Sequence, residues 1–282
     1  MTTDKWAAWL QHRRDGGDAG LRAGFAPALA AYRDGVLDRA RIAAGDTVLD
    51  VGTGTGLLGF GALERVGANG RVVFSDISAD VLEACRSAAA GDDRCSFVVA
   101  AADDLSAVPD ASVDVVMTRS VLIYVPGKAA AFAEMLRVLR AGGRLSIFEP
   151  INRFGVGGRL FGLDLTPVAE LAARVVAAYP VVEAMVDFDE RDLLRLVREA
   201  GFRDVVMDYR AEADVAGPPI ADWEALRHTA PNPLAPTYAE AMAAALTPEE
   251  QRRLEAYIRE LVARREPTRR TSAYVHLAAV RP

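Results

Sequence analysis

The chain lacks the marks of several large protein classes. Only two cysteines, Cys85 and Cys95, occur in 282 residues. They lack the paired spacing of a zinc site and are too few for a secreted disulfide framework. Reduced thiols in a cytoplasmic protein are therefore expected. No uncharged apolar run approaches the roughly 18 residues of a membrane span. The first 17 residues carry Asp4, Lys5, His12, Arg13 and Arg14 around Trp6 and Trp9, with no apolar signal-peptide core. Net positive charge is missing too: the formal sum is −6 at pH 7. That argues against a nucleic-acid surface, although Arg264, Arg265, Arg269 and Arg270 cluster locally. Lysine is nearly absent, Lys5 and Lys128 standing against 31 arginines. Three histidines leave few candidates for proton transfer.

Apolar residues, by contrast, make up 51% of the chain, enough for a sizeable core. Leu21, Phe25, Leu29, Tyr32 and Val36 recur at three- and four-residue steps, which predicts a helix over 19–40. A short apolar run at 47–51, bounded by turn residues, predicts a buried strand. The alternation continues with helix 57–66, strand 71–75, helix 79–90 capped by Ser78, and strand 96–100. Strand 113–118, helix 128–139 ended by Gly142-Gly143, and strand 144–148 follow. Strands alternating with helices imply a parallel sheet covered on both faces.

After Glu149 the rhythm breaks. Residues 150–187 carry Gly155, Gly157, Gly158 and Gly162 and then an apolar stretch, and read as an inserted lid. Helix 190–200, a stop at Gly201 and a strand near 204–209 resume the pattern. A second insertion, 211–270, is punctuated by prolines and ends in a helix with Leu254, Tyr257, Ile258, Leu261 and Val262 on one face. The final strand pattern, 272–280, need not be parallel. The resulting division is a helical cap at 1–43 and a core at 44–282 with lids at 150–187 and 211–270.

One string carries most of the chemistry: Val48-Leu49-Asp50-Val51-Gly52-Thr53-Gly54-Thr55-Gly56. It sets a glycine-dense turn between the first strand and the next helix. Glycines tolerate positive φ and let a ligand approach the backbone. The helix start offers free N–H groups to an anionic group. Asp76 ends the second strand, placed to accept from ribose hydroxyls. Gly54, Gly56 and Gly59 also satisfy the dinucleotide pattern G-x-G-x-x-G. Asp50 weighs against that ligand, because an acid at the phosphate end repels a pyrophosphate and attracts an ammonium. A tight turn with no ligand is the plain structural reading.

These residues resemble the class I S-adenosylmethionine-dependent methyltransferases, in the branch that includes quinone-biosynthesis-like enzymes. Residues 48–56 match that family's D-x-G-x-G-x-G, Asp76 its ribose-binding acid, and 114–117 and 139–145 its fourth and fifth strands. The resemblance implies a doubly wound, Rossmann-like α/β sheet, mostly parallel with an antiparallel last strand, plus the helical N-terminal segment and the lids. It implies S-adenosyl-L-methionine as cofactor and S-adenosyl-L-homocysteine as product. The backbone of Gly52, Thr53, Gly54 and Gly56 would line the methionine part, and Asp50 would hold its ammonium. Asp76, followed by Ile77, would bind the ribose, and the backbone of Arg119 and Ser120 the amino-acid end. Leu122, Ile123 and Tyr124 would lie near the reacting methyl. The family often has an acid four residues before the leucine of its third motif; Ala101 stands there. Ala102 by backbone and Asp103 by side chain are the substitutes, with Asp104 the alternative.

Methyl transfer from a sulfonium is an in-line displacement in which the protein mainly orients and desolvates. A hydroxyl or carbon acceptor usually needs a base, a neutral amine does not. His228 in the second insertion, Tyr124 and Glu149 are the candidate catalytic residues, with Tyr32 further off. His276 is expected packed or at an edge, and His12 in solvent. Trp6, Trp9, Phe25, Phe154, Phe161 and Tyr179 are candidates for lid surface, and Arg153 and Arg159 for binding a carboxylate. The expected partner is a small-molecule acceptor of the specialised-metabolite kind, or a peptide; neither nucleic acid, membrane nor metal is expected. Alternatives are a peptide methyltransferase, a non-catalytic cofactor-binding protein and a nicotinamide-dependent oxidoreductase.

Overall fold

A computed structural model describes residues 4–155 and 159–282. Gly157 and Gly158 lie outside the described residues. Two compact units make up the chain. One comprises Pro27–Arg153, Glu183–Arg210 and Ala273–Pro282; the other comprises the described parts of Met1–Ala26, Phe154–Val182 and Ala211–Ser272.

The first unit is built on a seven-stranded sheet: β1 Thr47–Val51, β2 Arg71–Asp76, β3 Cys95–Val99, β4 Val113–Arg119, β5 Leu139–Pro150, β6 Arg203–Gly217 and β7 Thr268–Val280, of which β6 beyond Arg210 and β7 before Ala273 fall in the second unit. Their spatial order is β3-β2-β1-β4-β5-β7-β6. The first five strands pair in parallel, whereas β7 runs antiparallel to β5. The expected antiparallel end is therefore present. The order reverses at β1 and β4, whose carboxyl ends form the crevice where open α/β sheets bind ligands.

Each face of the sheet buries its own cluster. Leu49, Val116, Phe132, Met135, Leu145, Ile147 and Leu277 pack on one side with helix Lys128–Val138. Val36, Leu37, Val48, Leu58, Phe74, Val115 and Met117 pack on the other. Full burial of such a side chain stabilises by about 1.5–3 kcal/mol, so these faces fix strand register. The Ser146 hydroxyl donates to the Val36 carbonyl (2.8 Å), joining helix Ala19–Ala40 to β5.

Several boundaries differ from the sequence pattern. Helix Leu57–Leu63 stops before residue 66, where the N–H groups of Arg65 and Val66 both turn back to the Ala62 carbonyl and Gly67 follows with φ +69°. Helix Ala79–Ala88 keeps its Ser78 cap, whose hydroxyl accepts from Val81 N–H (3.1 Å). Gly142-Gly143 does not end the helix before it. That helix ends at Val138, and the glycines lie in the bend within β5, tied to Arg281 by backbone bonds in both directions. Strands β6 and β7 reach beyond the expected 209 and 272 into the proline-punctuated segment.

In the second unit, helices Ala169–Ala177, Trp223–Arg227, Tyr238–Ala245 and Pro248–Ala263 enclose Leu171, Val175, Trp223, Met242, Leu254 and Ile258. Thr237 with Glu240, and Thr247 with Glu250, form capping boxes that start the last two helices. The Trp9 indole N–H donates to the Ala230 carbonyl (2.8 Å), fastening the N-terminal segment within this unit. Among the described residues no helix is long and apolar enough to cross a membrane, and no cluster of three or more His, Cys, Asp or Glu could hold a metal ion.

Candidate active site

The carboxyl end of β1 gives the site its frame. The chain leaves β1 through Gly52, Gly54 and Gly56 at φ +65°, +54° and +79°. Side chains rarely adopt this left-handed backbone, so the turn needs glycine. Asp50, only 1% exposed, holds the turn from below. Its Oδ2 accepts from the Thr53 hydroxyl (2.6 Å) and from the Gly59 N–H (2.8 Å). Burial, and next the charge of Asp76, push its pKa up to about 6, while those two hydrogen bonds and Arg119 oppose the rise.

Asp76 closes the turn from β2. Its Oδ2 accepts from Gly54 N–H (3.0 Å) and its Oδ1 from Ser78 N–H (3.0 Å). Thr53 N–H donates to the Ser75 carbonyl (2.8 Å), so β1 and β2 present turn and acid in one register. Ile77, just past the acid, is 51% exposed, an apolar shelf at the strand ends. Ala102 is buried. Asp104 is engaged, accepting from Ser106 N–H (3.2 Å). Asp103 is half-buried beside Gly127.

The β4 end supplies Arg119 and Ser120. Ser120 has φ +56°, a strained value for a residue with a side chain, and its N–H donates to the Phe148 carbonyl (2.9 Å). A short 3₁₀ turn, Leu122–Tyr124, follows. Glu149 lies fully buried at the end of β5 under this turn. Its Oε1 accepts from the N–H groups of Val121 (2.9 Å) and Leu122 (3.0 Å), and its Oε2 from Ile123 N–H (3.4 Å). Burial lifts its pKa to about 7 against those bonds.

Glu149 and Tyr124, two of the expected catalytic residues, lie together at this turn. Glu149 serves three backbone donors, which makes it a holder of the turn. Burial, and secondarily the Glu149 charge, raise the pKa of the Tyr124 phenol above its ordinary range. His228 belongs to the second unit, exposed at the C-cap of helix Trp223–Arg227. His12 is exposed and His276 is buried. The His276 imidazole packs against Gly35, Phe148 and Tyr274, and burial lowers its pKa.

Sequence reasoning missed two contributors. Val121 packs on the glycine turn: a Cβ on Gly52 would lie 2.3 Å from Val121 Cγ2. The buried Cys85 thiol donates to the Gly54 carbonyl (3.2 Å). Neither has a motif signal, since both contacts arise from tertiary packing.

A cationic cofactor fits these residues. Two buried neighbouring carboxylates, each raising the energy of the other's charge, flank a turn open to close approach, with an apolar shelf beside it. Positive charge there relieves the repulsion, and Asp76 can accept from hydroxyls.

A family model described as a methyltransferase domain matches residues 42–200. Arsenite methyltransferase of Halobacterium salinarum is 31% identical over 215 residues, covering 76% of this chain and 48% of the relative. The chain thus spans about half of that relative's length. Demethylmenaquinone methyltransferase of Clavibacter sepedonicus is 34% identical over 200 residues, covering 68% of this chain and 79% of the relative. Among solved structures, the [4+2]-cyclase SpnF aligns with a TM-score of 0.54 at 20% identity, covering 96% of this chain and 87% of that one. At that identity the likeness concerns the fold alone.

Proposed function

The chain belongs to the class I S-adenosylmethionine-dependent methyltransferases, and on that premise we propose that it methylates a small organic acceptor. The observation that carries the reading is the pair Asp50 and Asp76 at the ends of β1 and β2, bonded to opposite parts of one positive-φ glycine turn. When bound, the cofactor supplies an electrophilic methyl on a sulfonium that already carries its leaving group. Asp76 would hold the ribose hydroxyls. Asp50 would orient the ammonium end, its Oδ2 being occupied by the turn. The backbone of Gly52, Thr53, Gly54 and Gly56 would line the methionine part, with Arg119 and Ser120 at the amino-acid end. Ile77 would pack on the flat base, with Ala102 by backbone and Asp103 by side chain beside it.

The acceptor class is supported by the relatives' names. The two relatives above are named for small acceptors, arsenite and demethylmenaquinone. His228, exposed at the C-cap of helix Trp223–Arg227, remains the proposed proton acceptor if the acceptor is a hydroxyl or carbon acid. We assign the cytoplasm as the site of action from the free thiols.

The test is calorimetry followed by turnover. The protein should bind S-adenosylhomocysteine and, with labelled S-adenosylmethionine and a panel of phenols, quinones, amines and thiols, yield a labelled product. Asp76→Ala should weaken cofactor binding by about ten- to hundredfold, the equivalent of losing roughly 1.5–3 kcal/mol of hydrogen bonding to a charged group. Unchanged affinity in Asp76→Ala would remove that residue from the site. Tight binding without turnover on any acceptor would overturn the enzymatic reading.

A further inference from the structure

We propose that Glu149 is a positioning residue for the cofactor site, locking residues 120–124 so that Val121 closes against Gly52. The inference rests on the methyltransferase reading above.

A three-residue 3₁₀ turn is poorly able to hold itself, and the first N–H groups of any helical turn have no partner within it. Here those groups belong to Val121, Leu122 and Ile123, and one carboxylate takes all three. No side chain within the turn caps it. The turn also begins with strain, at Ser120 φ +56°. A strained conformation persists only where its surroundings determine it. Two residues of β5 do so: Phe148 holds Ser120 through its carbonyl, and Glu149 holds the next three residues. The β4–β5 register, with Arg119 opposite Phe148, brings these groups together across the sheet.

The consequence reaches the glycine turn through Val121. Its Cγ2 occupies the place a Gly52 side chain would take. Gly52 opens the turn at φ +65°. A wall against Gly52 therefore fixes how the turn leaves β1, in addition to the hold of Asp50 on Thr53 and Gly59. Glu149 acts on the cofactor through Val121 and touches neither cofactor nor acceptor in this role.

Four forms of the full chain test this: wild type, Glu149→Gln, Val121→Ala and the double variant. Each is titrated with S-adenosylhomocysteine by calorimetry, with thermal unfolding followed in parallel. Glu149→Gln keeps the size but loses charge-assisted acceptors and turns an NH₂ toward N–H donors, so affinity should fall about tenfold. Val121→Ala should weaken binding about threefold, the scale of a partly lost apolar contact. The double variant should bind like Glu149→Gln alone, since one pathway is cut twice. A purely structural role would lower thermal stability and leave these affinities additive. Additive losses, or wild-type affinity in a folded Glu149→Gln protein, overturn the proposal. Should Glu149→Gln not fold, wild-type affinity in Val121→Ala overturns it, and the threefold loss supports it. A wild-type chain that binds no S-adenosylhomocysteine removes the methyltransferase reading and this inference together. A binding wild type with unaffected variants removes the inference alone.

Discussion

Two turns at the carboxyl ends of the sheet solve the same problem with different chemistry. At β1 a buried aspartate holds a glycine-rich turn through one side-chain hydroxyl and one backbone N–H. At β5 a buried glutamate holds a glycine-free turn through backbone N–H groups alone. The first accommodates positive φ with glycines, whereas the second imposes it on Ser120. Glycines make the first turn permissive, so carboxylate and ligand must both order it. The second has bulky residues and needs its glutamate before any ligand arrives. Both carboxylates pay in desolvation, and their pKa values rise to about 6 and about 7.

That shared strain gives the largest expected effect. A carboxyl whose folded pKa lies above its unfolded value contributes stability that is complete below the unfolded pKa. It is lost as pH rises through the folded pKa. For Asp50 the window runs from 3.8 to about 6, and for Glu149 from 4.5 to about 7. Each shift corresponds to about 3 kcal/mol at 1.36 kcal/mol per unit. Carboxyls lowered by arginine partners, such as Asp92 and Glu250 at about 2, act oppositely but below pH 4.5. His276, lowered by burial, also acts oppositely, losing stability as pH falls below 6.5. Urea denaturation of the free protein from pH 4.5 to 8 should therefore show stability falling as pH rises toward about 7, with His276 partly offsetting the fall, and falling less once either carboxyl is removed. Asp50→Asn should remove the part of this fall that is complete near pH 6, and Glu149→Gln the part that is complete near pH 7. Identical slopes in both variants and wild type would break the comparison.

A second effect separates the turns by their supports. Lys128, one of two lysines, is buried just after the β5-side turn. Its ammonium donates to the carbonyls of Val125 (3.1 Å) and Ala184 (3.0 Å) and to Asp187 Oδ1 (2.6 Å). It also lies 4.8 Å from the Phe188 ring centroid. The glycine turn is braced instead by Asp50, Asp76 and Cys85. Lys128→Ala should cost about 3 kcal/mol, the low end for breaking a buried pair, because Asp187 keeps some solvent. Hydrogen exchange should then speed up at residues 121–125 and remain unchanged at 52–56. Equal acceleration at both would show that the turns are one unit.

How much of this was legible in the sequence follows from distance along the chain. The β1 turn was legible because strand, acid, glycines and helix are contiguous from Val48 to Leu57. Asp76 was legible because a strand end is a local pattern. Glu149 could be placed on the ligand side by the same logic, but not its partners. Those depend on the pairing of β4 with β5, which brings Val121 and Glu149 together across 28 residues. The ends of β6 were hidden for another reason. Most of its residues from Asp208 to Val215 are exposed, so no apolar alternation marks a strand held by its backbone ladder. The Gly142-Gly143 pair misled because a helix stop and a strand bend use the same residues.

The smallest effect bears on the β1 turn alone. Thr53 is buried, and its hydroxyl is the only side-chain donor to either carboxylate holding these turns, Asp50 or Glu149, among the bonds described above. Thr53→Val keeps the shape and removes that donor. Asp50 then retains the Gly59 N–H, so the loss should be about 1.5 kcal/mol, the low end for a hydrogen bond to a charged group. The Asp50 pKa should rise further, because a bond that favours its ionised form is gone. The deficit should therefore be larger at pH 8 than at pH 5. No such substitution exists for Glu149, whose donors are all backbone. A Thr53→Val deficit independent of pH would mean that the hydroxyl orders the turn without stabilising the charge, and the two carboxylates would then differ in kind.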